Sequence, residues 1–79
     1  MERKIIIGMD YKHFKGKIVT VLMLAKDSEN LNDLVVYKHK GTDEIWVREL
    51  NEFLSEVDHK KYPDIKQKYR FKEIRERND

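Results

Sequence analysis

The chain has 79 residues, of which 41% are charged, with a net charge of +2 and no cysteine. That length holds one domain with a single small core, spanning residues 1–79, and the missing cysteines exclude disulfide staples and thiolate metal sites and fit a reducing compartment. The near balance of charge excludes a nucleic-acid binder of the extremely basic kind, and the longest apolar runs, Ile5 to Ile7 and Val21 to Ala25, are too short for a membrane span or a signal-peptide core. The reading is a cytoplasmic protein that does not engage a membrane.

Charge is unevenly spread. Residues 1–41 carry +3, residues 42–58 carry −5 and residues 59–79 carry +4. Adjacent acidic and basic segments are most simply used against each other, so ion pairs between neighbouring stretches are expected.

Residues 1–4 are polar and expected to fray, and Ile5-Ile6-Ile7 is a β-branched triplet stopped by Gly8, which suggests a short edge strand. Tyr11, His13 and Lys15 then alternate with Lys12 and Phe14 before Gly16, whose simplest use is a turn with positive φ. Ile18 to Lys26 is apolar on both faces of an extended chain, which implies burial on two sides, as in a strand that curls through a small barrel. Asp27 to Asp33 is a polar loop able to close turns on its own backbone.

Leu34 to Lys40 and Ile45 to Arg48 are rich in β-branched and aromatic residues and flank Gly41-Thr42-Asp43-Glu44, the composition of a four-residue hairpin loop. A regular loop sets Lys40 opposite Ile45, His39 opposite Trp46, Lys38 opposite Val47 and Tyr37 opposite Arg48. Directly opposed residues share a face, so Tyr37, His39, Trp46 and Arg48 project together from one side of the ribbon. Glu49 to Val57 places Leu50, Phe53, Leu54 and Val57 on one stripe of a two-turn helix, with Phe53 as a core plug. His59 to Asp64 is a connector with a turn at Pro63-Asp64. A last strand is expected near Lys68 to Ile74, and residues 75–79 are expected to fray.

The segments YKHFKG, LVVYKHKG and IWVREL, the following Phe53 and the late YRF together resemble the prokaryotic domain-of-unknown-function family 1653, over Gly8 to Phe71. The resemblance implies a small SH3-like β-barrel of about five antiparallel strands with one short helix near residues 49–57. It implies no activity and brings no catalytic or binding residues. Members often carry a His-Ser-Glu-Thr run where this chain has Asp27-Ser28-Glu29-Asn30, and a proline where it has Glu49.

The residues offer little for catalysis. No serine sits in a nucleophile elbow, the three glycines are too far apart for a phosphate loop, and His13, His39 and His59 lack the spacing of a zinc site. No cofactor, metal or enzyme activity is expected. Binding is better supported: Trp46 offers a stacking face, with Tyr37 and His39 beside it, Arg48 as an anion partner, and His13, Lys15, Lys17, Lys12 and the basic tail extending the surface. Against this stand a core role for Trp46, a packing role for His13 with a single hydrogen-bond partner, and a pairing of Arg48 with Glu49 or Glu52. The function expected is a non-catalytic recognition module for nucleic acid, with an alternative as a protein-interaction module or weak homodimer using an exposed strand edge.

Overall fold

The computed structural model describes residues 3–75. It contains β1 (Asp10–His13), β2 (Ile18–Lys26), β3 (Asp33–His39), β4 (Ile45–Glu49), α1 (Leu50–Phe53) and β5 (Phe71–Glu73). All five strands are antiparallel and form one sheet in the order β4-β3-β2-β1-β5. The mainly β fold with one short helix is as the sequence implies, but the sheet stays open. Its outer strands β4 and β5 do not pair with each other. β5 is only three residues long, and the space between the two edges is filled by side chains: the Arg48 guanidinium lies 5.8 Å from the Phe71 ring centroid.

One face of the sheet carries the core. Tyr11 from β1, Val19 and Val21 from β2, Val35 and Tyr37 from β3 and Phe71 from β5 are buried there, and Phe53 from α1 closes over them. Phe53 stacks on Phe71 at 4.0 Å and meets Tyr11 edge-on at 5.3 Å, so the helical turn acts as the plug its position suggests. β2 carries a bulge between Val21 and Met23. An extra residue reverses the alternation of side chains, which is how a strand with apolar residues at consecutive positions can serve the core only along its first half. Met23 and Leu24 are consequently exposed, so the expected burial on both sides does not extend along the whole strand.

Several boundaries differ from expectation. Ile5 to Ile7 forms no strand; it leads into a turn in which Met9 N–H donates to Ile6 O, and Ile6 N–H donates to the Tyr11 hydroxyl. Tyr11 is fully buried, and burial pushes its phenol above the ordinary value. Within residues 1–4, where fraying is expected, the Arg3 guanidinium donates to Leu54 O at 3.0 Å and Phe71 O at 2.7 Å and lies 3.9 Å over the Tyr69 ring. Residues 1–2 and 76–79, the remainder of the frayed ends expected, lie outside the described residues, apart from exposed Lys4 and Arg75, the latter paired with Glu73.

The helix is one turn rather than two. Beyond Leu54 the chain extends, and residues 55–57 pair with 68–70: Arg70 N–H donates to Ser55 O and Val57 N–H to Lys68 O. Val57 is buried by this pairing rather than by a helical stripe. Pro63-Asp64 occupies a turn closed by Ile65 N–H on Tyr62 O, as its composition requires. Among the described residues no ion pair joins the acidic 42–58 stretch to the basic 59–75 stretch. Pairs form instead at Lys26–Asp33, Lys40–Asp10, Arg48–Glu52 and Arg75–Glu73. Among the described residues, too, no helix is long and apolar enough to cross a membrane.

Candidate functional site

The hairpin register is shifted by two residues from the regular four-residue loop: Tyr37 faces Trp46, Val36 faces Val47 and Val35 faces Arg48. The reason lies at the turn. His39 remains paired with Val19 of β2, Lys40 N–H donates to Ile18 O, and Thr42 N–H and Oγ1 both donate to His39 O, so the chain leaves β4 earlier. A shift of two preserves the side-chain parity. Tyr37, His39, Trp46 and Arg48 therefore still share one face, and it is the core face. The core occupies its middle; the candidate residues lie where covering elements run out.

There they bound a cleft of about 280 Å³. Trp46 and His39 form one wall, meeting edge-on at 5.8 Å, with Tyr37 below them. Phe71 and His13 form the opposite side in T-shaped contact at 5.0 Å. Lys15, Lys17 and Arg48 complete the lining, and among the described residues no carboxylate contributes to it. All six residues singled out from the sequence (Tyr37, His39, Trp46, Arg48, His13 and Lys15) thus line one concavity, together with Lys17 and Phe71. Lys12 does not: it opposes Ile18 on the other face of the sheet.

The burial of the aromatic members differs in a way that bears on their roles. Tyr37 and Phe71 are buried and belong to the core. Trp46 keeps 47% of its surface exposed, because β4 is an edge strand with nothing packed beyond it. The core role considered for Trp46 is therefore at most partial. His13 stacks on Phe14 at 4.5 Å, and its Nδ1 accepts a hydrogen bond from Lys15 N–H at 3.1 Å. That leaves Nε2 as the protonated nitrogen of a neutral ring. Burial, followed by the nearby Arg48, Arg70, Lys15 and His39, lowers the His13 pKa to about 4. At neutral pH it is an uncharged donor.

Arg48 is held 3.8 Å from Glu52, one helical turn further along the chain, as one of its two expected partners. The contact is loose, and the Arg48 Nε is buried without a hydrogen-bond partner.

A second recess of about 330 Å³ adjoins the first, sharing His13, Lys15 and Arg48 with it. It adds Phe14, Tyr62, Lys61, Arg70 and a single carboxylate, Asp58. Sequence reading did not single out Phe71, Tyr62 or Lys61 as site residues, and it reached Arg70 only as part of a basic tail that could widen the positive surface. Their only signal was the alternation of aromatic and basic residues in a tail whose conformation could not be read locally. Among the described residues no group of three or more His, Cys, Asp or Glu is placed to hold a metal ion.

No curated protein and no solved structure matches the chain. A family model does, over residues 9–73, which takes in β1 through β5 and every residue of both recesses. By that match the chain belongs to domain-of-unknown-function family 1653, described as "Protein of unknown function (DUF1653)".

Proposed function

We propose that the protein is a non-catalytic recognition module of the prokaryotic cytoplasm that binds single-stranded nucleic acid through the cleft around Trp46. The observation carrying this reading is the composition of the cleft: exposed Trp46 and half-buried His39 beside three cations, with no acidic residue in the lining among the described residues. A nucleobase presents a flat π-face for which an exposed indole is suited, and its phosphates seek cations. Among the described residues the lining holds no serine, threonine, cysteine or carboxylate beside its two imidazoles, which supports a binding rather than a nucleophilic role.

The SH3-like barrel belongs to the same reading. Its support is the connectivity: β5 returns beside β1 after a helical turn, and the bulged β2 is long enough to serve two halves of a curled sheet. Small barrels of this type present shallow aromatic clefts to extended ligands.

The test is a salt titration of binding to a dye-labelled oligonucleotide. With Lys15, Lys17 and Arg48 as phosphate partners, the logarithm of affinity should fall with that of salt with a slope of about −2. No binding at low ionic strength would overturn the proposal. A second reading, self-association through β4, is favoured by one observation: Ile45 and Val47, on the free edge of the sheet, are each 57% exposed, in line with exposed Met23. It requires that the mass measured by sedimentation rise with protein concentration.

A further inference from the structure

The second recess is not accounted for by base stacking, and its chemistry differs from that of the first. Four cations, Lys15, Arg48, Lys61 and Arg70, converge on it against the single carboxylate of Asp58. Asp58 is itself engaged, its Oδ1 accepting from Lys60 N–H and lying 3.4 Å from Lys61 N. Lys15 and Lys61 stand 5.4 and 5.5 Å over the Tyr62 ring, and the Lys15 hydrogen bond, the largest influence, holds the Tyr62 phenol below its ordinary value. Arg70 is anchored by donating Nε–H to Ser55 Oγ, which leaves its two terminal nitrogens uncommitted to that bond.

The two recesses are joined by an unbroken run of ring contacts. Trp46 meets His39, His39 meets Tyr37, Tyr37 meets Phe71, Phe71 meets His13, His13 stacks on Phe14, and Phe14 meets Tyr62. Since His13, Lys15 and Arg48 line both recesses, an aromatic cleft with a few cations adjoins a cationic pocket with a few aromatics. We propose that the second recess is a phosphate subsite, in which Lys15, Arg48, Lys61 and Arg70 hold a phosphate group of the strand whose base stacks on Trp46. The proposal rests on the nucleic-acid reading of the first cleft for the identity of the strand, but its own geometry asks only for a phosphate. Arg48, which lines both recesses, connects them.

His13 is the built-in reporter, because it lines both recesses and its neighbours Arg48, Arg70 and Lys15 are the cations the phosphate would neutralise. The imidazoles are titrated by NMR in the presence of inorganic phosphate, adenosine, adenosine 5′-monophosphate, or an octadeoxyadenylate without terminal phosphates, while Trp46 fluorescence is followed in parallel. The expected result is that the His13 midpoint rises from about 4 with each phosphate-bearing probe and not with adenosine, while the exposed His59, which lines neither recess, is unmoved. A rise with the monophosphate but not the octamer identifies a terminal phosphate as the ligand; a rise with both identifies the backbone.

Arg70→Gln and, because Arg70 also ties Ser55, the exposed Lys61→Gln should each weaken the monophosphate by roughly three- to tenfold and leave adenosine unchanged. Equal affinity for adenosine and its monophosphate, or a His13 midpoint indifferent to every phosphate, overturns the subsite. If inorganic phosphate moves His13 while no probe quenches Trp46, the subsite stands and the base-stacking cleft falls.

Discussion

Replacing Trp46 by alanine separates the two roles a large aromatic can have. Trp46 is 47% exposed, so about half of an indole surface of roughly 250 Å² is removed from water on folding. At about 25 cal/mol per Å² this is about 3 kcal/mol, and the partial compactness of an unfolded chain reduces it to about 2 kcal/mol. A fully buried ring such as Phe53, stacked on Phe71, would instead cost about 3–5 kcal/mol when truncated. Trp46→Ala should therefore remain folded at 25 °C and lose about 2 kcal/mol or less in urea unfolding. The transition has to be followed by far-ultraviolet circular dichroism, because Trp46 is the sole tryptophan.

Binding should respond differently. A lost stacking partner costs about 1–3 kcal/mol per base, or roughly 5- to 150-fold in affinity, measured by anisotropy of a labelled oligonucleotide at low salt. Trp46→Tyr keeps a flat ring and should recover much of the affinity. A folded Trp46→Ala protein that binds as tightly as the parent would refute the stacking role. A variant that unfolds outright would show that the indole holds the sheet together.

Two further expectations follow from the same geometry. Because the His13 pKa is lowered from 6.5 to about 4, the unfolded chain takes up a proton at this position before the folded one as pH falls. The His13 contribution to stability is thus intact above pH 6.5, declines between pH 6.5 and about 4, and levels off below. Discounted for partial exposure, it should amount to about 1–2 kcal/mol, and His13→Gln should flatten that window in a series of urea midpoints against pH. Arg3→Ala removes both bonds to Leu54 O and Phe71 O and the contact with the Tyr69 ring. It should lower the urea midpoint by about 2–3 kcal/mol in stability without altering the slope, and Arg3→Lys should restore little, since lysine cannot reach two carbonyls with one planar group.

The candidate cleft was legible to the extent that it depended on alternation. Tyr37, His39, Trp46 and Arg48 share a face in either register, since a slip of two residues leaves every side chain on its original side. Phe71 could not be read in the same way. Local alternation in the tail points to a strand near Lys68 to Ile74, and β5 forms there over Phe71–Glu73, but its strand partner, His13, is far away in the chain, so nothing local sets which edge it joins. The second turn of helix expected through Val57 failed for a related reason: residues 55–57 find partners at 68–70, and these long-range backbone bonds outweigh a modest local stripe.

By itself the sequence determined a small, mainly β domain, the extents of its central strands and the grouping of side chains by face, because these follow from two-residue alternation and from residues that punctuate the chain. Only the tertiary structure decided how deep each of those side chains lies. Alternation assigns Trp46 and Tyr37 to the same side, but whether water reaches them depends on which element packs above. Phe53 and Phe71 cover Tyr37, while nothing extends past β4 to cover Trp46. The meeting of Lys15, Arg48, Lys61 and Arg70 is likewise a product of folding, since it joins the turn between β1 and β2, β4 and the connector before β5, segments whose proximity is set by the closure of the core.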